Sequence, residues 1–389
     1  VPAFQLKNAK TATLAFFLFC GIALSAWAPM VPYVKHHLSL SESEMGAMLL
    51  ALGAGAIVMM PLSGWLISKT GSRSIVVFGS VITAISLPAI LLADTVTLTA
   101  LCLFIFGAGL GGIDIAINAH GIQIQNLSAR PIMSSLHGLF SIGGLFGPLL
   151  VLTLFEFQLS PPSVLGIISI LLLIILGTQW KFLMSAQKER EVTRTYAQKN
   201  EQEKFSKFAW LNGRLLFLGG LCFIVFLSEG AVLDWSAIYL LDYKNSQENL
   251  AGLGYAAFSV AMAFMRLIGD RIVSKFPAKW IVVVGGLITA SGFLIVITTP
   301  WFLTILIGFI LVGLGAANII PVIFSEGAHL KGVSSASALA TITTLGYVGQ
   351  LAGPAILGMV AELSTLSVAF ASTGGLMLLV SISYLLKKG

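Results

Sequence analysis

The stretch LCLFIFGAGLGGIDIAINAH, Leu101–His120, runs for twenty residues with one formal charge, on Asp114. At about 1.5 Å of rise per residue, a helix of this length covers the roughly 30 Å hydrocarbon thickness of a bilayer. Similar apolar runs fill the rest of the chain. They predict spans at 11–33, 44–67, 74–93, 97–125, 132–155, 162–183, 211–240, 250–274, 280–299, 301–326, 335–360 and 365–385. Across all 389 residues 57% are hydrophobic and only 10% charged, too few polar residues to clothe a soluble domain of this size. The fold class is therefore all-α integral membrane with twelve transmembrane helices. The long first, fourth and seventh spans are where breaks are expected. The first run is as long as the others and another span follows it, so it reads as a helix and not a cleaved signal. Cys20, Cys102 and Cys222 all lie in apolar runs without metal-type spacing, which predicts neither disulfide nor metal site.

The Leu101–His120 stretch has an echo. Gly109, Gly111 and Asp114 match Gly313, Gly315 and Asn318 at an offset of 204 residues, and Gly143, Gly147 and Pro148 match Gly349, Gly353 and Pro354 at 206. GWLISKTGSR, Gly64–Arg73, follows the second span, and RLIGDRIVSK, Arg266–Lys275, holds the equivalent place after the eighth. Landmarks at near-constant offset imply a duplicated bundle. The predicted organisation is a six-helix bundle over 1–187, a polar linker over 188–208, and a second pseudo-symmetric six-helix bundle over 209–389. The linker sequence, Lys188–Lys207, mixes both charge signs with few apolar residues and reads as a cytoplasmic segment, partly a surface helix.

Charge placement sets the orientation. With both termini cytoplasmic, only Lys35 and Lys244 of the 22 lysines and arginines fall on the outer side, as the positive-inside rule requires. The net charge of +6 then reflects orientation and attraction to anionic membrane lipid, and calls for no nucleic-acid partner. There is no GxxxxGK[ST] phosphate loop, no nucleophile-base arrangement and no extramembrane domain, so neither ATP hydrolysis nor another enzymatic activity is expected, and no cofactor.

With these motifs in place, the chain resembles the major facilitator superfamily over nearly its whole length. GWLISKTGSR resembles that superfamily's loop motif between the second and third helices, with Ser68 where the motif carries aspartate; the second copy keeps its acid as Asp270. ALSAWAPMVP (Ala23–Pro32), AINAHG (Ala116–Gly121), SLHGLFSIG (Ser135–Gly143) and SEGAVLDW (Ser228–Trp235) resemble the YbjJ/MosC-like branch, related to the fucose permease. The resemblance implies a monomeric carrier of the bacterial inner membrane that works by alternating access. Its cavity is lined by the first, fourth, seventh and tenth helices, and its cargo is a small polar solute such as a sugar or polyol, moved with protons by symport. An exporter of drug-like or amphipathic compounds is the alternative, supported by the many Phe and Met residues and by the partial antiporter signature Gly143-x3-Gly147-Pro148, itself read as helix packing.

Ionisable groups inside a bilayer are expensive and mark pathways or structural networks. Asp114 lies eleven residues from Gln125 and hence roughly 16 Å from the inner edge, with Asn118 one turn on along the same face. Asp114 and Glu229 are the candidate proton-coupling groups. Trp27, Asp114, Asn118, Glu229 and Asn318 are the candidate substrate contacts, Trp27 as a stacking platform for a ring. His120, His137, Arg266, Asp270 and Glu326 are candidate gating residues, His329 and Lys331 flanking the last of them. Asp234 reads as structural and Trp235 as an interfacial anchor. Arg266 and Asp270, four apart, can pair on one helix face. His120 and His137 ordinarily titrate near neutrality and so suit a proton relay, while a neutral hydrogen-bonded histidine is the commoner outcome.

Overall fold

The computed structural model describes residues 3–128, 132–197, 212–328, 330 and 335–387. Twelve helices among them are long and apolar enough to cross a membrane. The contacts divide the chain into two units, one of Val1–Ser39 with Met48–Glu201 and the other of Leu40–Ala47 with Gln202–Gly389.

The first unit contains α1 (Ala3–Trp27), α2 (Val31–His37), most of α3 (Glu42–Thr70), α4 (Ser72–Leu92), α5 (Val96–Ser128), α6 (Met133–Phe155), α7 (Pro161–Gln179) and α8 (Ala186–Ala197). The second contains α9 (Gly213–Ile238), α10 (Leu253–Lys275), α11 (Ala278–Thr298), α12 (Phe302–Ala316), α13 (Ile319–Ala328), α14 (Ser335–Leu363) and α15 (Leu366–Leu386). Of the breaks expected in the long spans, two are present. The first span tightens to a 3-10 turn at Ala28–Met30, where Pro29 and Pro32 remove backbone donors, and the seventh ends in a π-helical turn at Tyr239–Tyr243. The fourth span, α5, runs unbroken through Asp114, while the tenth is interrupted between Ala316 and Ile319.

Glycines set how closely the helices approach, and they reveal the register of the repeat. Gly107 meets the Leu52 carbonyl and Gly313 meets the Phe258 carbonyl; Gly109 lies on Gly79 and Thr83, and Gly315 on Gly285 and Thr289. Every partner in these sets is 206 residues from its counterpart, so the offset of 204 read from the glycine pattern is corrected to 206. Asp114 therefore corresponds to Ile320, and Asn318 to Gly112. The latter exchange is compensated locally. Gly112 accommodates Met59 and Ser63, whereas Asn318 donates to the Met265 carbonyl at 3.4 Å and lies against Gly269, the counterpart of Ser63. By the same offset Arg266 corresponds to Met60, not to Gly64. Gly143 and Gly147 pack on α1: a Cβ on Gly143 would lie 2.8 Å from the Ile22 amide, and one on Gly147 2.6 Å from that of Ala26. That close approach accounts for the partial antiporter signature as packing.

The loop motif between α3 and α4 is held within the first unit by α8. Gly71 takes a φ of +80°, and a Cβ there would lie 2.8 Å from the Ala186 Cα, so both backbone conformation and proximity require glycine. Glu189 accepts from the Ser72 amide at 2.8 Å and from the Ser72 hydroxyl, capping the positive end of α4; Arg190 donates to the Lys69 carbonyl at the negative end of α3. Adjacent residues of α8 thus match the dipoles of two helix ends. Lys69 lies 3.9 Å from the centre of the Trp65 ring and Arg73 4.5 Å from that of Trp180, while Ser68 donates to the Trp65 carbonyl in its own helix. Glu189→Ala is expected to lower stability by about 1 kcal/mol through the lost cap, read as a lower thermal midpoint in detergent.

Burial pushes the Glu189 carboxyl above the ordinary glutamate range, and the two Ser72 hydrogen bonds oppose that shift. A carboxyl whose folded pKa is raised favours the folded state in its protonated form. Its contribution is full at low pH and is lost as pH rises through the folded value. The thermal midpoint of the unmodified protein should therefore gain more on acidification than that of Glu189→Gln, which lacks this titration.

Candidate functional site

In the first unit the unbroken α5 sets Asp114 well inside the span, 18 residues from Val96 and 14 from Ser128. Asn118, one turn on, donates its amide to the Asp114 carboxylate at 3.1 Å and to the Asp114 carbonyl at 2.9 Å. Cys20 of α1 lies within electrostatic reach of the carboxylate. Among the described residues no cation pairs with Asp114. The helices come close here because of the glycines preceding it: a Cβ on Gly111 would stand 2.7 Å from the Ala56 Cα of α3. Asp114 is thus a half-buried acid whose hydrogen-bond partner, Asn118, is a neutral amide of its own helix.

His120 is two turns beyond and wholly buried. Its Nε2 lies 2.9 Å from the Met184 amide, which can only donate, so Nε2 is the acceptor and the proton sits on Nδ1. Nδ1 in turn faces the Thr13 hydroxyl at 2.9 Å, and that hydroxyl donates to the Ala9 carbonyl at 2.8 Å. A second ring proton would set two donors head to head at Met184. The ring ties α1, α5 and the segment after α7 together. His120→Ala, which strands the buried Met184 amide, should cost about 1–3 kcal/mol, measured by thermal unfolding, and leave the ratio of protons to cargo in the surviving protein unchanged. His137, by contrast, is exposed and meets the edge of Phe17 at 5.1 Å between ring centres.

In the second unit α9 and α10 bring together groups that are far apart in sequence. Arg266 Nη2 stands 3.8 Å from Glu229 Oε1, with the two side chains 31% and 15% exposed. That is ion-pair distance but too long for a hydrogen bond, and Glu229 Oε1 has no hydrogen-bond partner among the described residues. Tyr255 of α10 hydrogen-bonds Ser259 and lies within electrostatic reach of Glu229, Asp234 and Arg266. Asp234 itself is buried. The Arg266 guanidinium therefore sits beside one carboxyl group, that of Glu229, an arrangement in which a proton and a cation can exchange places on the same acid.

A sequence model of the Major Facilitator Superfamily matches residues 13–247 and 235–388, which together cover nearly the whole chain. The chain belongs to the major facilitator superfamily. It is 37% identical over 370 residues to an uncharacterized MFS-type transporter of Yersinia pestis, covering 95% of this chain and 93% of that one. It is 30% identical over 357 residues to the membrane protein MosC of Rhizobium meliloti, covering 92% and 84%. Among solved structures, the nucleoside transporter NupG superposes with a TM-score of 0.77 at 15% identity over 99% of this chain and 100% of that one. The E. coli xylose transporter XylE superposes with a TM-score of 0.74 at 15% identity, covering 97% and 95%. At such identities the likeness is one of fold. As a major facilitator the protein is a multi-pass membrane transporter with twelve spans and not an enzyme.

The remaining predicted positions of this facilitator are dispersed. Trp27 and Trp235 are both wholly buried, each with its indole N–H unpaired among the described residues, so Trp235 is a packed residue and not an interfacial anchor. Asn318 is buried at the α12–α13 break, and Glu326 accepts from the Tyr384 hydroxyl and the Lys387 ammonium. The Asp270 side chain, His329 and Lys331 lie outside the described residues. Arg266 has Glu229 as its ion-pair partner across two helices. Tyr255, Thr13, Glu189 and Lys387 escaped the reading of the sequence: a tyrosine or threonine in an apolar run carries no charge signal, and the other two resemble ordinary solvated charges.

Proposed function

We propose that this facilitator is a proton-coupled symporter of a small polar solute, sugar- or polyol-like, working by alternating access in the bacterial inner membrane with both termini cytoplasmic. The observation that carries the coupling is Asp114: a carboxyl inside a span, hydrogen-bonded to the neutral Asn118 of its own helix and free of any cation among the described residues. Such a group can gain a proton without first breaking an ion pair. Asn118 gives its amide N–H groups to Asp114, and its side-chain carbonyl oxygen suits a hydroxylated cargo as an acceptor. Glu229, held loosely by Arg266, is the second coupling candidate, since protonation of the acid frees the guanidinium. The buried, unpaired indole N–H of Trp27 is available to a ligand after rearrangement of its surroundings.

The cargo class follows from resemblance to the fucose permease, and the orientation from the lysine and arginine distribution. Export of amphipathic compounds rests on the richness in Phe and Met, since Gly143 and Gly147 are engaged in packing on α1. The gating assignments rest on position for His137, Arg266, Asp270 and Glu326; His120 is better read as scaffold, given its paired nitrogens. The test is proton flux into liposomes holding the purified protein while sugars, polyols, amino acids and amphipathic cations are added singly. Flux triggered by a sugar or polyol supports the reading. Flux triggered only by amphipathic cations, or cargo movement without protons, overturns it.

A further inference from the structure

At the end of the second unit where α9 begins and α15 stops, a cavity of about 440 Å³ is lined by residues that include Arg214, Phe217, Glu326, Leu386 and Lys387. Among the described residues its lining carries two cations, Arg214 and Lys387, and one acid, Glu326. The Glu326 carboxylate accepts from both the Lys387 ammonium and the Tyr384 hydroxyl, and Lys387 stands 4.8 Å from the centre of the Tyr384 ring. Arg214 has no carboxylate at ion-pair distance among the described residues. Two cations thus share one acid that is already engaged. Burial and the neighbouring Arg214 hold the Lys387 ammonium below the ordinary lysine range, as expected of a cation beside an uncompensated like charge.

The setting favours one class of anion. Arg214 is the second residue of α9 and Lys387 directly follows the last residue of α15, so both lie at the boundary between hydrocarbon and water. Phe217 and Leu386 form apolar walls, and Leu386 is 72% exposed. A ligand that suits the cavity has a phosphate at one end and hydrocarbon at the other. We propose that it binds the headgroup phosphate of an anionic phospholipid, held between Arg214 and Lys387 with an acyl chain along Phe217 and Leu386. Guanidinium recognises phosphate with paired hydrogen bonds, and basic pockets between membrane helices suit anionic headgroups.

The test is native mass spectrometry of the full chain, released from detergent after titration with phosphatidylglycerol, phosphatidylcholine or inorganic phosphate. Phosphatidylglycerol should be retained at least threefold more than phosphatidylcholine. The Arg214→Gln/Lys387→Gln variant should lose that preference, and Lys275→Gln/Lys279→Gln, which removes two exposed cations elsewhere in the unit, should keep it. Equal retention of the two lipids, or a preference intact in the Arg214/Lys387 variant, overturns the proposal. Displacement of phosphatidylglycerol by inorganic phosphate at equal concentration also overturns it, assigning the cavity to a free anion. Should the double variant not fold, Arg214→Gln alone removes a group with no carboxylate at ion-pair distance among the described residues and carries the same comparison.

Discussion

Asp114→Asn is expected to reduce proton-driven accumulation of cargo at least a hundredfold while leaving cargo binding and cargo–cargo exchange within a few-fold of the unmodified protein. The substitution preserves shape and still accepts the Asn118 amide, which is 3.1 Å from the carboxylate, so the helix should fold as before. What it removes is the ability to alternate between charged and neutral forms. An aspartate facing water from one side ionises, and moving that charge through a closed, low-dielectric state costs several kcal/mol unless a proton accompanies it. A neutral amide pays no such penalty in either direction, so the bundles can cycle without protons. Counterflow and uptake assays in liposomes with an imposed pH gradient separate the two activities. If the variant still concentrates cargo against a gradient, Asp114 is not the coupling group.

The second large effect concerns Glu229 and Arg266. Removing the guanidinium in Arg266→Gln leaves a carboxyl that is 15% exposed and whose Oε1 already lacks a hydrogen bond. Breaking a buried pair from one side is more damaging than replacing both partners. The 3.8 Å separation and the 31% exposure of Arg266 place the effect below that of a fully buried pair, at roughly 2 kcal/mol for the single variant. Glu229→Gln combined with Arg266→Gln should recover at least half of that loss in thermal stability. A double-mutant cycle should return a coupling of about 1–2 kcal/mol. Transport should stay at least tenfold depressed in the double variant, because stability is recovered and the exchangeable proton is not. A cycle with no coupling would mean that the two groups do not sense one another; full recovery of transport would remove Glu229 from the mechanism.

Much of this architecture was legible in the residues. The apolar runs are each long enough to span, and α5 was foreseen to within a few residues of Val96–Ser128 because polar residues bracket it. The repeat was visible, but its register slipped in the fourth and tenth spans. Gly107, Gly109 and Gly111 form a ladder of period two, and Gly313 and Gly315 fit it equally well one rung along. Only neighbours outside the ladder, Thr83 against Gly109 and Thr289 against Gly315, select the offset of 206. The corrected register shows that the scaffold is duplicated and the chemistry is not. Asp114 faces Ile320 in the alignment of the halves, Glu229 faces Ala23 and Arg266 faces Met60.

For the site, the sequence could single out Asp114, Glu229 and His120, since any ionisable group in hydrocarbon stands out against its neighbours. It could not say what each one meets. His120 is tied to Thr13, 107 positions away, and to Met184, while Arg266 reaches Glu229 on another helix. The sequence by itself determined the solvent, the number of spans and the twofold repeat, because burial of apolar side chains in lipid is a property of composition and run length. Partners were decided only by the tertiary structure. A hydrogen bond or ion pair depends on ångström-scale distances between side chains on different helices, and those distances are set by how glycines let the helices approach and not by spacing along the chain.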